Sequence, residues 1–187
     1  MGRTGVGGQC GAEYVAQLYG LWHRMLLEFS AFYPGSGRVP VCWQPVILPD
    51  VNLLVYAVDE TSAFHVGART WWDDALSSTQ IVGLCYPSML GFIRLTTNRR
   101  VFAAPLTIDQ ALDYVNSWLA QANTTTVVPT PRHWPLFEAL LKSTGTGANI
   151  TTDAHIAALA IEHGYTVFTN DVDFSRFENL RWKNPLS

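Results

Sequence analysis

Four aspartates, Asp50, Asp153, Asp171 and Asp173, are the side chains of this sequence best suited to act together. One carboxylate alone ordinarily caps a helix or closes a turn. Several brought to one place are different, because two charges about 4 Å apart repel by roughly 4 kcal/mol at an effective dielectric near 20. Either one carboxyl takes a proton, its pKa rising, or a hard divalent cation binds, and Mg²⁺ prefers such oxygens together with substrate phosphate. A bound Mg²⁺ lowers the pKa of a coordinated water, polarises a phosphoryl oxygen and holds the leaving group, which suits phosphodiester hydrolysis.

Whether the acids meet depends on the elements that carry them. Thr151 or Thr152 is expected to cap a helix that starts near Asp153 and ends at Gly164. The β-prone run 165–169 follows, and Asn170-Asp171-Val172-Asp173-Phe174 lies directly beyond it. About 11 helical residues descend roughly 16 Å at 1.5 Å each. Five strand residues climb back roughly 16 Å at about 3.3 Å each. Asp153 and Asp171 therefore return to one edge of a sheet. Asp50 lies just past the apolar run 46–48, too short for a helix but suited to a buried strand, so it emerges at the same edge of a parallel sheet. Three acids are expected to converge there, in the crevice beyond strand C-termini where open α/β sheets bind ligands. Asp173 reads either as a support for this site or as the cap of the next turn.

The rest of the chain alternates in the same way. Helices are expected over 50–57, around His65, Ala68, Trp71, Trp72 and Ala75, from Pro87 through Leu95, over 108–120 and over 134–143. Strands are expected over 80–84 and 125–128. This alternation implies right-handed βαβ units around a parallel sheet, an α/β fold. Before it, Tyr14, Leu18, Leu21, Trp22, Met25 and Phe29 have the spacing of one amphipathic helix, broken at Pro34-Gly35-Ser36-Gly37. Residues 1–45 read as an N-terminal extension: an appendage, an interaction helix, or sequence upstream of the true translation start. Residues 46–187 form the compact domain.

With 48% hydrophobic and 14% charged residues in 187, the composition excludes a disordered chain and allows one domain with a sizeable core. A net charge of −3 offers no global attraction for a polyanion, so a nucleic acid would be held by a local basic patch or by metal. Cys10, Cys42 and Cys85 have no metal-ligand spacing, no apolar run approaches the length of a membrane span, and the glycine-rich start lacks a signal-peptide core. A soluble cytoplasmic protein is expected.

The strand leading to Asp50-Val51-Asn52-Leu53-Leu54, the segment Gly91-Phe92-Ile93-Arg94-Leu95-Thr96-Thr97-Asn98, then Asp153-Ala154-His155, Thr169-Asn170-Asp171-Val172-Asp173-Phe174 and the closing Leu180-Arg181-Trp182-Lys183-Asn184-Pro185-Leu186 occur in the order found in one family. The sequence resembles the PIN-domain ribonuclease toxins of VapC type from about 46 to 186. The resemblance implies a three-layer α/β/α fold with a central parallel sheet of four to five short strands. It also implies the toxin of a type II toxin–antitoxin pair, an endoribonuclease using Mg²⁺, with Mn²⁺ as substitute, that forms a homodimer and is silenced by a cognate antitoxin. By position, Asp50 and Asp153 match the family's metal ligands, Asp171 matches the acid that completes the site or orients the attacking water, with Asp173 nearby, and Asn52 helps to shape the site and contact substrate.

One departure stands out. Many PIN domains place a Glu on the helix corresponding to 86–98, where this sequence has Gly91, and no acid occurs anywhere from 75 to 108. That argues for a single metal rather than a symmetric pair. The same segment carries Arg94, Arg99 and Arg100. Arg94, beside Phe92 and Ile93, is the candidate phosphate contact, because its fork grips phosphate in bidentate fashion; Arg99 and Arg100 read equally as solvated charges. Thr97 and Asn98 could bond substrate or cap the helix end. The five histidines show no triad or HxxxH spacing, and none is assigned to catalysis, although His155 lies near the acids. A competing reading, a catalytically weak RNA- or antitoxin-binding module, rests on Gly91. A phosphatase of the haloacid-dehalogenase kind is discounted because Asn52 stands where that family needs a second Asp.

Overall fold

A computed structural model describes residues 46–148 and 150–187. The extension 1–45 and its expected helix over 14–32 lie outside the described residues. Five parallel strands, β1 (Ile47–Pro49), β2 (Val82–Cys85), β3 (Thr124–Val127), β4 (Thr166–Phe168) and β5 (Trp182–Lys183), form one sheet in the order β3-β2-β1-β4-β5. The helices among the described residues are α1 (Val51–Val58), α2 (His65–Ser77), α3 (Tyr86–Thr96), α4 (Ile108–Leu119), α5 (His133–Thr144) and α6 (Ile150–His163), with a 3₁₀ turn over Val172–Arg176. The chain thus builds outward from β1 through β2 to β3, then returns to the other side of β1 for β4 and β5. The reversal lies between β1 and β4, and Asp50 and Asp171 follow those two strands.

Alternation along the strands divides the core into two halves. Ile47, Val82 and Leu84 pack with α1, α2, α3 and α4 in one apolar cluster. Leu48, Cys85, Val127 and Val167 pack with α5, α6 and the 3₁₀ turn in the other. Successive residues of a strand point to opposite faces, so helices cover both faces and the expected three-layer α/β/α fold is present. In the first cluster Trp72, Phe92 and Trp118 interlock, with edge-on ring pairs at 5.6 and 4.8 Å. In the second, α6 turns Ala154, Ala157, Ala158 and Ala160 inward, all fully buried, and these small side chains let the helix lie close against the strands.

Two features fix the edge where the acids lie. The backbone N–H of Asp50 donates to Phe168 O at 2.9 Å, which carries the β1–β4 ladder one residue past the strand end. The Ser88 hydroxyl, buried in the first turn of α3, donates to Pro49 O at 2.8 Å. The start of α6 departs from expectation: Thr151 and Thr152 lie inside the helix, which begins at Ile150, and Asp153 sits in its first turn. Threonine favours a cap but is tolerated in a first turn, so the signal was off by a few residues. β4 is three residues long rather than five, and the chain covers the remaining distance as extended backbone to Asp171.

Candidate active site

Asp50 is the most buried of the four acids, 4% exposed. It is the N-cap of α1, and its Oδ1 accepts from the Val51 backbone N–H at 2.6 Å. Its Oδ2 accepts from Asn52 Nδ2 at 2.8 Å and from the Thr169 hydroxyl at 2.9 Å. Asp50 therefore caps the helix while its other oxygen is held by side chains from two segments. Burial pushes its pKa up to about 6, opposed by the Thr169 and Val51 hydrogen bonds and reinforced by the charge of Asp171.

Asp153 is half-buried in the first turn of α6. A helix N-terminus favours a carboxylate by roughly 0.3–1 kcal/mol. Even so its pKa rises to about 6, through burial first and then through the charges of Asp50, Asp171 and Asp173. A shift of that size is on the order of 3 kcal/mol before solvent screening, so repulsion and burial outweigh the dipole. Asp153 thus feels the charge of the other three predicted acids, and Asp50 that of Asp171. Asp171 N-caps the 3₁₀ turn, and its Oδ1 accepts from Asp173 N at 2.8 Å. The cap of that turn is therefore Asp171 and not Asp173, which is exposed and lies 3.9 Å from Arg176 Nη1.

A network of which the sequence singles out only Asn52 beside the acids holds these groups. The Thr169 hydroxyl, fully buried, donates to Asp50 and accepts from Asn52 Nδ2 and from Asp171 N, each at 2.9 Å, which uses its whole hydrogen-bonding capacity. Asn52 also accepts from Asn170 N at 3.3 Å, and Asn184 Nδ2 donates to Asn170 Oδ1 at 2.9 Å. Asn52 is thus committed to the acids and their support through both ends of its amide. The signal for Thr169 was a hydroxyl residue at a strand end two positions before an acid, and the contact itself spans β4 to β1.

The donor set is chemically apt for a hard cation: two carboxylates with raised proton affinity, at one sheet edge, beside two further acids. No group of three or more His, Cys, Asp or Glu among the described residues is already gathered at metal-ligand spacing. Mg²⁺ does not require one, since it commonly takes one or two carboxylates and completes its shell with water and phosphate.

A cleft of about 400 Å³ adjoins the acids, lined by Pro87, Leu90, Gly91 and Arg94 of α3, Phe137 of α5, and Thr151, Thr152 and His155 of α6. Thr152 precedes Asp153 and Gly91 packs on Val51, which follows Asp50, so the cleft meets the acid edge from two sides. Arg94 is exposed on its wall and stands apart from the carboxylate network. Thr97 ends α3, where its hydroxyl donates to Ile93 O at 2.7 Å, and Asn98 Oδ1 accepts from Arg100 N at 2.9 Å. Both side chains are thus used at the helix end. A Cβ at Gly91 would lie 3.0 Å from Val51 Cγ2, so the missing acid is matched by close packing of α3 on α1.

Residues 47–180 match the family model described as PIN domain. Ribonuclease VapC33 of Mycobacterium tuberculosis is 41% identical over 141 residues, covering 75% of this chain and 99% of that protein. Ribonuclease VapC37 of the same organism is 43% identical over 136 residues, covering 73% and 94%. Among solved structures, DNA-bound VapBC from Salmonella typhimurium superposes with a TM-score of 0.55 at 17% identity, over 75% of this chain and 98% of that one. VapC20 of Mycobacterium tuberculosis, described as a Sarcin-Ricin loop cleaving toxin, gives 0.52 at 18% identity, over 72% and 98%. At these identities the structures establish the fold.

Proposed function

This chain belongs to the PIN-domain family, among its VapC ribonucleases, and from that membership we propose that it is a metal-dependent endoribonuclease, the toxin of a type II toxin–antitoxin pair. The observation that carries the chemistry is the pairing of buried Asp50 with Asp153, each raised toward a pKa of about 6 in surroundings that include the other acids. Such a pair is relieved by a cation and strained without one.

Asp50 and Asp153 would hold Mg²⁺, with Mn²⁺ as the substitute. When bound, the cation supplies a water of lowered pKa and polarisation of a phosphoryl oxygen. Thr169 and Asn52 fix the Asp50 carboxylate against rotation. Asp171, whose backbone N–H donates to Thr169, would orient the attacking water, with Asp173 supporting it from the following turn. Arg94, on the cleft wall, would grip a phosphate of the RNA strand. Thr97 contributes through the end of α3 rather than by a free hydroxyl.

The partners in this reading are RNA, a cognate antitoxin and a second copy of the chain, in the cytoplasm. Leu90, exposed on the cleft wall, and Trp134, exposed beside Phe137, offer apolar surface for a protein partner. Among the described residues no helix is long and apolar enough to cross a membrane. The test is RNA cleavage by the purified chain with Mg²⁺ or Mn²⁺, stopped by EDTA and abolished by Asp50→Ala. Cleavage that survives Asp50→Ala sinks the reading. RNA binding without turnover in any divalent metal instead favours a catalytically weak RNA- or antitoxin-binding module, the reading that Gly91 motivates.

A further inference from the structure

Behind the cleft lies a chain of three titratable side chains that the acid chemistry does not use. Glu162 has its side chain 1% exposed. Its Oε2 accepts from both the backbone N–H and the hydroxyl of Thr130. Its Oε1 lies 2.8 Å from His133 Nδ1, and His133 Nε2 lies 2.8 Å from His155 Nδ1. Burial raises the Glu162 pKa, but the hydrogen bonds from Thr130 and then His133 outweigh it and hold the carboxyl below its usual range. The Glu162 carboxylate has only acceptors, so His133 must donate from Nδ1. In the neutral form of His133, Nε2 then offers a lone pair, and His155 donates to it from Nδ1. That leaves the His155 Nε2 lone pair as an acceptor, and His155 lines the cleft. No described residue bonds to this nitrogen.

A chain of hydrogen bonds across two helices therefore sets the polarity of one atom. The surroundings of that atom match a nucleobase. Phe137 lies beside both imidazoles, its ring 6.2 Å from His133 and 6.4 Å from His155, and Leu90 and Pro87 make the opposite wall apolar. Flat apolar faces with a polar edge are what an unstacked base presents, and single-stranded RNA is read by aromatic contact and hydrogen bonds to such edges. Arg94 gives the same cleft a cation for the adjoining phosphate. A ribose or phosphate alone would not use the apolar walls.

We propose that Glu162 and His133 fix the tautomer of His155, and that its acceptor Nε2, with Phe137 and Arg94, forms a subsite for one nucleobase of the RNA beside the scissile phosphate. This rests on the endoribonuclease reading above. An acceptor at that point favours a base that turns an exocyclic amino group toward it, adenine, cytosine or guanine, over uracil, which has none. Glu162 and His133 are positioning residues, and His155 is the one that touches the base.

Glu162→Gln tests the polarity itself. The two Thr130 donors would keep the glutamine oxygen, turning its NH₂ toward His133 Nδ1. His133 must then accept at Nδ1 and donate from Nε2, and His155 must accept at Nδ1 and present N–H to the cleft. One substitution thereby inverts the hydrogen bond offered to the base without removing a side chain. The full chain, its Glu162→Gln variant and its His155→Ala variant are each given a random pool of short single-stranded RNAs. Bound RNA is sequenced in EDTA, and cleavage ends are sequenced in Mg²⁺.

The expected result is discrimination against U at one position in the wild type, reversed in Glu162→Gln and flattened in His155→Ala. One net hydrogen bond corresponds to roughly threefold to tenfold discrimination. Identical profiles for all three proteins overturn the subsite, as does a wild type that neither selects nor cleaves RNA. Selection without cleavage supports the subsite and sinks the nuclease reading; cleavage with unchanged profiles does the reverse. His155→Ala, on a partly exposed helix face, carries the test alone where Glu162→Gln does not fold.

Discussion

The hydroxyl of Thr169, past the end of β4, donates a 2.9 Å hydrogen bond to Oδ2 of Asp50, past the end of β1. With the bond from Asn52 Nδ2 to the same hydroxyl, it joins the ends of the two strands across the point where the sheet order reverses. A hydrogen bond to a buried carboxylate contributes about 1.5–3 kcal/mol, and loss of a supporting group of this kind typically lowers metal affinity or activity about 10–100-fold. Thr169→Val keeps the shape and deletes the hydroxyl, so a fall of that order in RNA cleavage is expected, with a lower melting temperature, while Thr169→Ser retains most of both. A Thr169→Val enzyme as active as the wild type would show that Asp50 needs no such support.

The same acids make the metal-free protein sensitive to pH. Asp50 and Asp153 have folded-state pKa values raised from 3.8 to about 6. Between those values the folded state binds more protons than the unfolded chain, so stability is fully present below 3.8 and is lost as pH rises through 6. For buried Asp50 the loss is on the order of 3 kcal/mol. A cation that replaces the protons restores it. Thermal melts in EDTA and in Mg²⁺ should therefore differ little at pH 5 and clearly at pH 8, with the larger Mg²⁺ gain at pH 8. An equal gain at both values would place the cation elsewhere.

The convergence of these acids is legible in the sequence, for a physical reason. The strands and helices that carry Asp50, Asp153 and Asp171 are bounded by strong punctuation, Pro49 and Gly164, and period and length alone return the three acids to one edge. The network around them was not legible. Thr169 reads as an ordinary β-prone residue, and its partner lies 119 positions away. His133, His155 and Glu162 come from two helices whose side-by-side packing no local spacing encodes. β5, two residues long, is too short for alternation to register. Local periodicity predicts which edge a residue reaches, whereas the hydrogen bonds that hold it there depend on tertiary register.

Charge repulsion among the acids predicts that removing one stabilises the protein while disabling it. Asp153→Asn deletes a carboxylate that burial and three neighbouring charges disfavour. Because Asp153 is half-exposed, solvent screening reduces the gain to about 1 kcal/mol at pH 8. Denaturant melts in EDTA should show higher stability for Asp153→Asn at pH 8 and little difference at pH 4, alongside loss of RNA cleavage in Mg²⁺. A variant less stable than the wild type at pH 8 would mean that the helix dipole, not repulsion, governs this position.

The packing of α3 on α1 gives a test of why Gly91 carries no acid. Alanine in a helix interior is favoured over glycine by about 0.5–1 kcal/mol, yet a Cβ at Gly91 would sit 3.0 Å from Val51 Cγ2, closer than relaxed contact allows. Overpacking of this kind costs about 1–3 kcal/mol where the neighbour cannot yield. Val51 has little room to yield, because it begins the helix that Asp50 caps, and a β-branched side chain is confined to one rotamer there. Gly91→Ala should therefore destabilise the wild-type chain, and should stabilise a Val51→Ala chain in which the methyl groups are gone. The double-mutant cycle is expected to return a coupling of about 1 kcal/mol or more. Displacement of Val51 also tilts the start of α1, so Gly91→Ala should lower RNA cleavage more than its stability cost explains, and Val51→Ala should recover part of it. A coupling near zero would mean that α3 can shift freely on α1, and the glycine would then owe nothing to the position of Asp50.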